Sequence, residues 1–270
     1  MDDQDYVLGT DDTEIVRLGL QHRVWRPRML DAWRRAGITE GQSIADLGCG
    51  PGYASIDLGH IVGPDGHVTA FERSRRLIAH LEHQCEAQGI TNIQAVEADL
   101  DVINLPVAAF DGLWCRWVLA FVTAPERLVS KAAKALKPGG VAVFHEYLDY
   151  GTWRLSPSHP SLEKFVCTVI ESWRETGGEP NIGRALPAML EREGFAVLAT
   201  NPIIDVVTPE NYVWKWPEAF LRINAERLCA LGKISPEDVA EIVTAFDTVK
   251  STPGARMTTP CVIEVIARKR

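Results

Sequence analysis

The sequence lacks the basic excess that is typical of nucleic-acid-binding proteins. Its 28 lysine and arginine residues are outnumbered by 36 aspartate and glutamate residues, which gives a formal net charge of -8 at pH 7. Phosphate contacts supply much of the affinity for DNA or RNA, and they need clustered positive charge. The composition therefore argues against a nucleic-acid partner, and short basic clusters such as residues 268–270 are interpreted as solvated surface.

Paired cysteine motifs and long apolar runs are also absent. The six cysteines are widely spaced and include no CxxC pair, which predicts reduced thiols rather than a zinc site or a disulfide framework. No stretch reaches the ~18 apolar residues of a membrane-spanning helix. Residues 1–5 are acidic and lack the apolar segment of a signal peptide. We therefore expect a cytoplasmic protein with no membrane span and no metal, either a monomer or a homodimer.

What the sequence does contain is a regular alternation of predicted strands and helices. At 270 residues, with 46% hydrophobic and 24% charged residues, the composition is that of one globular core with added helices. Such alternation indicates parallel strands joined by right-handed crossover helices, and hence a doubly wound α/β fold. Ligands bind such folds at the carboxyl ends of the strands. The first five predicted strands are residues 43–47, 68–72, 93–97, 112–115 and 141–144.

Local signals place several helix boundaries. Residues 13–36 predict a helix that is interrupted near Pro27. Ser74 is expected to cap the start of the helix after the second strand, and Gly89 to follow its end. Residues 123–126 have the spacing of a capping box for a later helix.

The second half of the chain predicts insertions around two late strands. Strands at residues 195–198 and 261–267 bring the mostly parallel sheet to seven. The helical segments 153–178 and 208–250 are expected to roof the ligand crevice. The predicted organisation is therefore a single domain in three consecutive parts: an N-terminal helical cap at residues 1–40, a ligand-binding core at 41–150, and insertions with the last strands at 151–270.

A glycine-rich turn, residues 46–52, joins the first predicted strand to its helix. Glycine allows the sharp turn and lets the backbone approach a ligand closely, while free N–H groups at the helix start can donate to it. The GxGxG spacing departs from the GxGxxG of dinucleotide sites, because Tyr53 and Ala54 stand where the third glycine would be. Asp46 suits a ligand with an ammonium and a sulfonium group better than a pyrophosphate.

Further candidate residues follow the next three strands. Glu72 can accept hydrogen bonds from both hydroxyls of a ribose. Asp99 can accept from an adenine amino group, and Leu100 offers the same ring an apolar contact and a backbone N–H. Cys115 and Arg116 end the fourth strand and are expected beside the part of the ligand that carries the ammonium and sulfonium groups.

Five segments in this order, IADLGCGPG, AFERS, VEADL, FDGLWCRW and LKPGGVAVF, resemble the class I S-adenosylmethionine-dependent methyltransferases. They are most similar to the branch with quinone-biosynthesis C-methyltransferases and many small-molecule methyltransferases. The resemblance covers roughly residues 40–145. It implies a Rossmann-like methyltransferase fold, S-adenosylmethionine as cofactor and S-adenosylhomocysteine as product. The implied cofactor-binding residues are Asp46, Gly48, Cys49, Gly50, Gly52, Tyr53, Glu72, Arg73, Asp99, Leu100, Cys115 and Arg116.

In the family that the chain resembles, the first acidic residue and the glycines hold the methionine end. The second-strand acid, here Glu72, binds the ribose, and the third-strand acid, here Asp99, binds adenine. Methyl transfer from a sulfonium is a single displacement, so a general base is needed only if the acceptor must lose a proton. His145 and Tyr147 are the catalytic candidates, because they follow the fifth predicted strand and a histidine titrates near neutral pH. A structural, hydrogen-bonded His145 agrees with the sequence equally well.

Four tryptophans in the predicted insertions are candidates for an aromatic acceptor pocket. Trp173 lies in a helical apolar stripe, which favours packing, whereas at least one of Trp214 and Trp216 is expected to face the pocket. Trp153 is the fourth. The leading hypothesis is methyl transfer to a small molecule. The alternatives are a nucleic-acid or protein methyltransferase, a nicotinamide-dependent oxidoreductase, and a non-catalytic S-adenosylmethionine-binding protein.

Overall fold

The computed structural model describes residues 11–270. The segment at residues 1–5 and the start of the predicted N-terminal cap lie outside the described residues. The strands are β1 (Ser43–Leu47), β2 (His67–Glu72), β3 (Ile93–Glu97), β4 (Phe110–Arg116), β5 (Leu136–Asp149), β6 (Arg154–Ser156), β7 (Phe195–Ile203), β8 (Val206–Val207), β9 (Arg256–Thr258) and β10 (Cys261–Lys269). The helices are α1 (Asp12–Ala36), α2 (Tyr53–Val62), α3 (Arg75–Gln88), α4 (Pro125–Ala135), α5 (Pro160–Glu175), α6 (Leu186–Arg192), α7 (Lys215–Ala230) and α8 (Pro236–Ser251).

One seven-stranded sheet runs through the molecule in the order β3-β2-β1-β4-β5-β10-β7. Strands β1 to β5 pair in parallel, and β10 is antiparallel to both of its neighbours. The doubly wound, mostly parallel seven-stranded α/β sheet predicted from the sequence is confirmed. A second sheet, β6-β9-β8, was not predicted, because strands of two or three residues are too short to show a period of two.

Apolar side chains cover both faces of the large sheet, because successive strand residues point to opposite faces. On one face, Trp114 of β4 packs with Met29 of α1 and Leu58 of α2. On the other face, Leu113 and Cys115 pack with side chains of α4 and α6. A third apolar cluster joins α5, α7 and α8 to the ends of β4 and β5. The insertions therefore build their own core beside the carboxyl ends of these strands.

Helix α1 continues through Pro27, so the predicted interruption is wrong. A proline inside a helix removes one backbone hydrogen bond. The cost is offset by burial on both sides of it, since Trp25, Met29 and Trp33 are all fully buried. Local sequence shows the proline but not this tertiary packing.

Other boundaries also differ from the prediction, among them those of β5 and β7, while α3 agrees with it. Ser74 accepts a hydrogen bond from the N–H of Leu77, and Gly89 adopts a left-handed conformation. The capping box predicted at residues 123–126 is absent: Ala124 precedes α4 with no side-chain cap, and the N–H of Thr123 donates to the Asp101 carboxylate. Strand β5 runs on to Asp149, beyond the predicted end at residue 144, because β10 pairs along its length. Within residues 11–270, no helix combines the length and apolar character needed to cross a membrane.

Candidate active site

A cavity of about 1240 Å³, which includes space open to solvent, lies at the carboxyl ends of β1 to β5. The loops after β1, β2 and β3 form one half, which we call the loop half. Helices α1, α5 and α7 and the ends of β4 and β5 form the other half, which we call the roof half. A position at the carboxyl ends of parallel strands is where this type of fold binds ligands.

Most of the residues predicted from the sequence line this cavity. Gly52, Cys115 and His145 do not. The predicted residues that line it are Asp46, Gly48, Cys49, Gly50, Tyr53, Glu72, Arg73, Asp99, Leu100, Arg116 and Tyr147.

The glycine turn is held against the end of β2. The N–H groups of Gly48 and Cys49 both donate to the carbonyl of Phe71, at 2.9 and 3.0 Å. Gly48 has a φ of 68°, and a Cβ there would come within 2.4 Å of the Val118 side chain. Both the left-handed backbone and the close approach of the turn after β4 therefore require glycine.

Asp46 is a buried carboxylate at the floor of the loop half. Its side chain is 2% exposed and accepts a hydrogen bond from the Ser55 hydroxyl at 2.6 Å. Burial raises the pKa of Asp46 to about 6, against the opposing effects of Ser55 and the Arg116 charge. A cationic ligand placed beside this carboxylate would stabilise its ionised form.

Glu72 ties the end of β2 to the glycine turn. One carboxylate oxygen accepts from the N–H of Gly50 at 3.1 Å, and the other accepts from the N–H of Ser74 at 2.9 Å. Burial raises the pKa of Glu72, and these backbone hydrogen bonds oppose the rise. The backbone N–H of Arg73 acts on the same carboxylate. Because a carboxylate has about four lone-pair sites, Glu72 can still accept from a ligand hydroxyl.

The loop after β3 is fixed by its own hydrogen bonds. Asp99 accepts from the N–H of Asp101 at 2.9 Å, and the Lys131 ammonium donates to the carbonyls of Leu100 and Asp101 at 2.9 Å. Leu100 is buried and lines the cavity with Leu77. This end of the loop half therefore offers an apolar slot beside an acidic residue.

The donor set of the loop half fits S-adenosylmethionine. A buried carboxylate at Asp46 suits cationic groups, a second carboxylate at Glu72 suits a ribose, and an apolar slot next to Asp99 suits an adenine ring. Among residues 11–270, no group of three or more histidine, cysteine, aspartate or glutamate side chains is arranged to hold a metal ion.

Helix α1 contributes lining residues that sequence reasoning missed. Arg17, Leu18 and Gln21 face the cavity. Arg17 is buried in an ion pair with Glu14 at 2.5 Å and donates to the Gln21 side chain at 2.9 Å. The available signal was the spacing of polar residues on this helix, since Glu14 and Arg17 are three apart and Arg17 and Gln21 are four apart. That signal does not tell which part of the protein the helix covers.

The roof half is aromatic, but its aromatic residues differ from those expected. Trp173 lines the cavity, although its helical stripe favoured packing alone. Trp153, Trp214 and Trp216 are buried outside the lining, so the expectation that Trp214 or Trp216 faces the pocket is wrong. They pack within the cluster that joins α5, α7 and α8.

His145 lies inside the sheet and away from the cavity lining. It is fully buried in β5, with its ring centroid 4.9 Å from that of Trp114 and its Nε2 3.4 Å from Glu264. Burial lowers its pKa, against the effect of the hydrogen bond with Glu264. Because β5 extends past the predicted end, the cavity begins at Tyr147 rather than His145. The geometry favours the structural interpretation of His145.

Cys115 and Gly52 also correct the prediction. The Cys115 side chain is fully buried on the far face of β4, because strand residues alternate and its neighbour Arg116 faces the cavity. Gly52 precedes α2 with a φ of 83°, and a Cβ there would come within 2.3 Å of Leu81. Gly52 is thus needed for packing of the turn rather than for lining the cavity.

Arg116 stands at the boundary between the two halves. Its guanidinium lies over the rings of Trp114 and Trp117, at 5.7 and 5.3 Å from their centroids. Burial lowers its pKa to about 10, and the Asp46 charge opposes that shift. It therefore remains a cation at neutral pH.

Comparison with known families and proteins gives three findings at sequence level. The family described as a methyltransferase domain matches residues 44–140. The chain is 30% identical over 187 residues to an uncharacterized 37.1 kDa protein in transposon Tn4556 of Streptomyces fradiae, covering 68% of this chain and 51% of that protein. It is 28% identical over 127 residues to a ubiquinone/menaquinone biosynthesis C-methyltransferase of Vibrio parahaemolyticus, covering 47% of this chain and 48% of the relative. The chain thus spans about half the length of these curated relatives.

Solved structures share the fold at low identity. Phosphoethanolamine N-methyltransferase 2 of Haemonchus contortus matches with a TM-score of 0.59 and 17% identity, covering 98% of this chain and 60% of that one. The cyclase SpnF matches with a TM-score of 0.57 and 18% identity, covering 90% and 80%. These similarities show the fold, and the presence of a cyclase among them means that fold alone does not fix the reaction.

Proposed function

We propose that this chain, which belongs to the class I S-adenosylmethionine-dependent methyltransferases by its domain at residues 44–140 and its fold, transfers a methyl group to a small-molecule acceptor. The family and the fold predicted from the sequence are confirmed by that match and by the sheet order. The reaction is stated as a proposal, because this chain covers only about half the length of the curated relatives that it matches.

The observation that carries the proposal is the convergence of Asp46, Glu72 and Asp99 on one cavity. Their carboxylates follow three adjacent strands, and backbone or side-chain hydrogen bonds hold each of them in place. We assign Asp46 and the turn at Gly48 and Gly50 to the methionine end of the cofactor. Glu72 is assigned to the ribose, and Asp99 with Leu100 to the adenine.

In the proposed reaction the chain mainly positions its ligands and excludes water. S-adenosylmethionine supplies an electrophilic methyl group on a positively charged sulfur. Asp46 would hold the donor at its methionine end and Glu72 at its ribose, while the roof half holds the acceptor in line and keeps solvent out. Tyr147 lines the roof half and is the residue of this chain that we propose to contact the acceptor near the reacting atoms.

A small molecule fits the enclosure of the cavity better than a polymer does. Helices α1, α5 and α7 lie across it, and the chain as a whole is acidic. The cavity is lined by both the loop half and the roof half, which offers adjoining places for a cofactor and an acceptor. All six cysteines are free, which supports the proposed cytoplasmic location.

The first test is calorimetric titration of the full chain with S-adenosylmethionine, S-adenosylhomocysteine and NAD. Binding of the two adenosyl compounds without NAD supports the assignment of the loop half. Binding of NAD alone overturns it. If both adenosyl compounds bind but no small-molecule panel is methylated, a non-catalytic S-adenosylmethionine-binding protein becomes the better description.

A further inference from the structure

The two halves of the cavity differ sharply in charge. Its carboxylates, those of Asp46, Glu72, Asp99 and Asp101, all belong to the loop half. Among the described residues, no aspartate, glutamate or histidine lines the roof half. The roof half therefore has no group that would balance an ammonium ion or take up its proton.

Aromatic rings form a connected wall in the roof half. The rings of Trp117 and Tyr147 are nearly parallel, with centroids 5.4 Å apart and an angle of 16° between planes. The ring centroid of Tyr147 lies 6.0 Å from that of Trp173. The centroid of Trp173 lies 4.8 Å from that of Phe121 and 6.1 Å from that of Phe220. These rings pack against each other and are therefore held in fixed positions. A wall of this kind suits a flat apolar ring.

Three arginines line the cavity. Arg73 belongs to the loop half, and the other two, Arg17 and Arg116, are in different states of pairing. The charge of Arg17 is balanced, because its Nε and Nη2 donate to the Glu14 carboxylate at 2.7 and 2.5 Å. Within residues 11–270, no carboxylate lies at ion-pair distance from Arg116. Its Nη1 donates a long hydrogen bond, 3.9 Å, to the sulfur of Met29. Asp46 acts on it only through space. Arg116 can therefore accept an anionic group from a ligand.

On the premise that the proposed function holds, we propose that the acceptor is a planar aromatic molecule with an acidic hydroxyl. Its ring lies against the aromatic wall, and its oxygen pairs with Arg116. A guanidinium beside a phenol lowers the pKa of that phenol, so the acceptor ionises without a carboxylate or imidazole base. An amine acceptor is disfavoured, because Arg116 repels it and no roof-half carboxylate balances its charge.

The reaction at this oxygen balances without a further reactant. The phenol first gives its proton to a water molecule at the part of the cavity that is open to solvent. The phenolate oxygen then forms a bond to the methyl carbon while the bond from that carbon to sulfur breaks. The electron pair of the broken bond goes to sulfur, which loses its positive charge and leaves as S-adenosylhomocysteine. Arg116 holds the oxygen in place during the displacement.

The test compares phenols with amines of the same ring size. The probes are catechol and 1-naphthol against benzylamine and 1-naphthylmethylamine. Each is titrated by calorimetry into full-length protein saturated with S-adenosylhomocysteine, and each is assayed for methylation with S-adenosylmethionine. We expect the phenols to bind and be methylated, and the amines to bind at least tenfold more weakly. The larger ring of 1-naphthol should bind more tightly than catechol.

Three variants sharpen the comparison. Arg116→Gln should weaken phenol binding by about tenfold, and Trp173→Ala should weaken both phenols. Arg34→Gln is the matched control, because Arg34 is an exposed arginine paired with Asp31 on the surface of α1. It should bind all four probes like the wild type. Affinity for S-adenosylhomocysteine is measured separately in each variant, so that a cofactor effect of Arg116 is not mistaken for an acceptor effect.

Two results would overturn the inference. One is preferential binding or methylation of the amines, and the other is the absence of any phenol binding to the protein saturated with S-adenosylhomocysteine. Failure to bind S-adenosylhomocysteine at all would instead refute the proposed function itself. The two failures are therefore distinguishable from the first titration onward.

Discussion

Replacing Glu72 tests the assignment of the cofactor most directly. Its carboxylate is held by the N–H groups of Gly50 and Ser74, and we assign its remaining capacity to accept hydrogen bonds to the ribose hydroxyls. A hydrogen bond to a charged group is worth about 1.5–3 kcal/mol, but the freed hydroxyls return to water. We therefore expect Glu72→Ala to weaken S-adenosylmethionine binding by about 1–3 kcal/mol, which is roughly 5- to 150-fold in Kd.

Glu72→Gln separates the role of charge from the role of shape. The amide keeps one acceptor oxygen for Gly50 or Ser74 but turns an NH₂ group towards the other N–H. The Glu72→Gln variant should therefore bind S-adenosylmethionine more weakly, while its free energy of unfolding falls by only about 1 kcal/mol. Glu97→Gln is the matched control, since Glu97 ends the neighbouring strand β3 and its side chain is 52% exposed. Glu97→Gln should leave both the affinity for S-adenosylmethionine and the free energy of unfolding unchanged.

The assay is calorimetric titration with S-adenosylmethionine, accompanied by urea unfolding of the same samples. A Kd within about twofold of wild type in both Glu72 variants would refute the ribose assignment. A large loss of stability with little effect on the affinity of the folded fraction would make Glu72 a residue that only supports the glycine turn.

Three further outcomes concern buried ionisable groups. Because burial raises the pKa of Asp46 to about 6 and a cationic ligand prefers the ionised form, S-adenosylmethionine affinity should rise with pH through about 6 in the wild type but not in Asp46→Asn. Calorimetry at several pH values measures the affinity. If the affinity changes with pH in the same way in the wild type and in Asp46→Asn, Asp46 is not the group responsible. Glu146 is a buried residue of β5 that accepts from the N–H groups of Val118 and Leu119. Burial raises its pKa from 4.5 to about 8, so the folded state holds this proton more tightly than the unfolded chain. Its contribution to stability therefore falls as pH rises from about 4.5 to 8, and urea unfolding should show a shallower decline in Glu146→Gln. His145→Ala should keep cofactor affinity but lower the free energy of unfolding by roughly 1–3 kcal/mol, because Glu264 loses a buried partner. Lost methyl transfer with unchanged affinity and stability would assign His145 to catalysis instead.

The loop half could be predicted from the sequence because its determinants are local. Each of its acids stands directly after a strand, and the strand–turn–helix pattern fixes on which edge of the sheet that residue lies. Gly48 and Glu72 show this best, since a left-handed turn and a carboxylate at the end of β2 follow from short stretches of sequence. The error at Gly52 concerns what this glycine packs against, and the error at Cys115, which lies on β4, concerns the direction of a side chain. Neither error concerns the position of a segment.

His145 shows why a boundary error becomes a functional error. The sequence pattern ends β5 near residue 144, and a residue that follows a strand is expected at the ligand. Pairing with β10, more than a hundred residues later in the chain, extends β5 to Asp149 and moves His145 into the sheet. The same extension brings Tyr147 to the cavity. Pairing with the distant strand β10 therefore determines that Tyr147, and not His145, lines the cavity.

The roof half depends on contacts between segments that are distant in the sequence. Helix α1 is held to the second half of the chain by Arg28, which pairs with Asp205 at 2.6 Å, and to α2 by Arg26, which pairs with Asp57 at 2.8 Å. The ring centroid of Trp25 in α1 also lies 4.9 Å from that of Trp216 in α7. One helix thus touches both α2, which follows the glycine turn, and α7, which is part of the roof half. A change in α1 should therefore affect the cofactor and the acceptor together, whereas changes at Glu72 or Trp173 should affect one of them. This difference follows from where the helix is anchored, which no local pattern within residues 12–36 reveals.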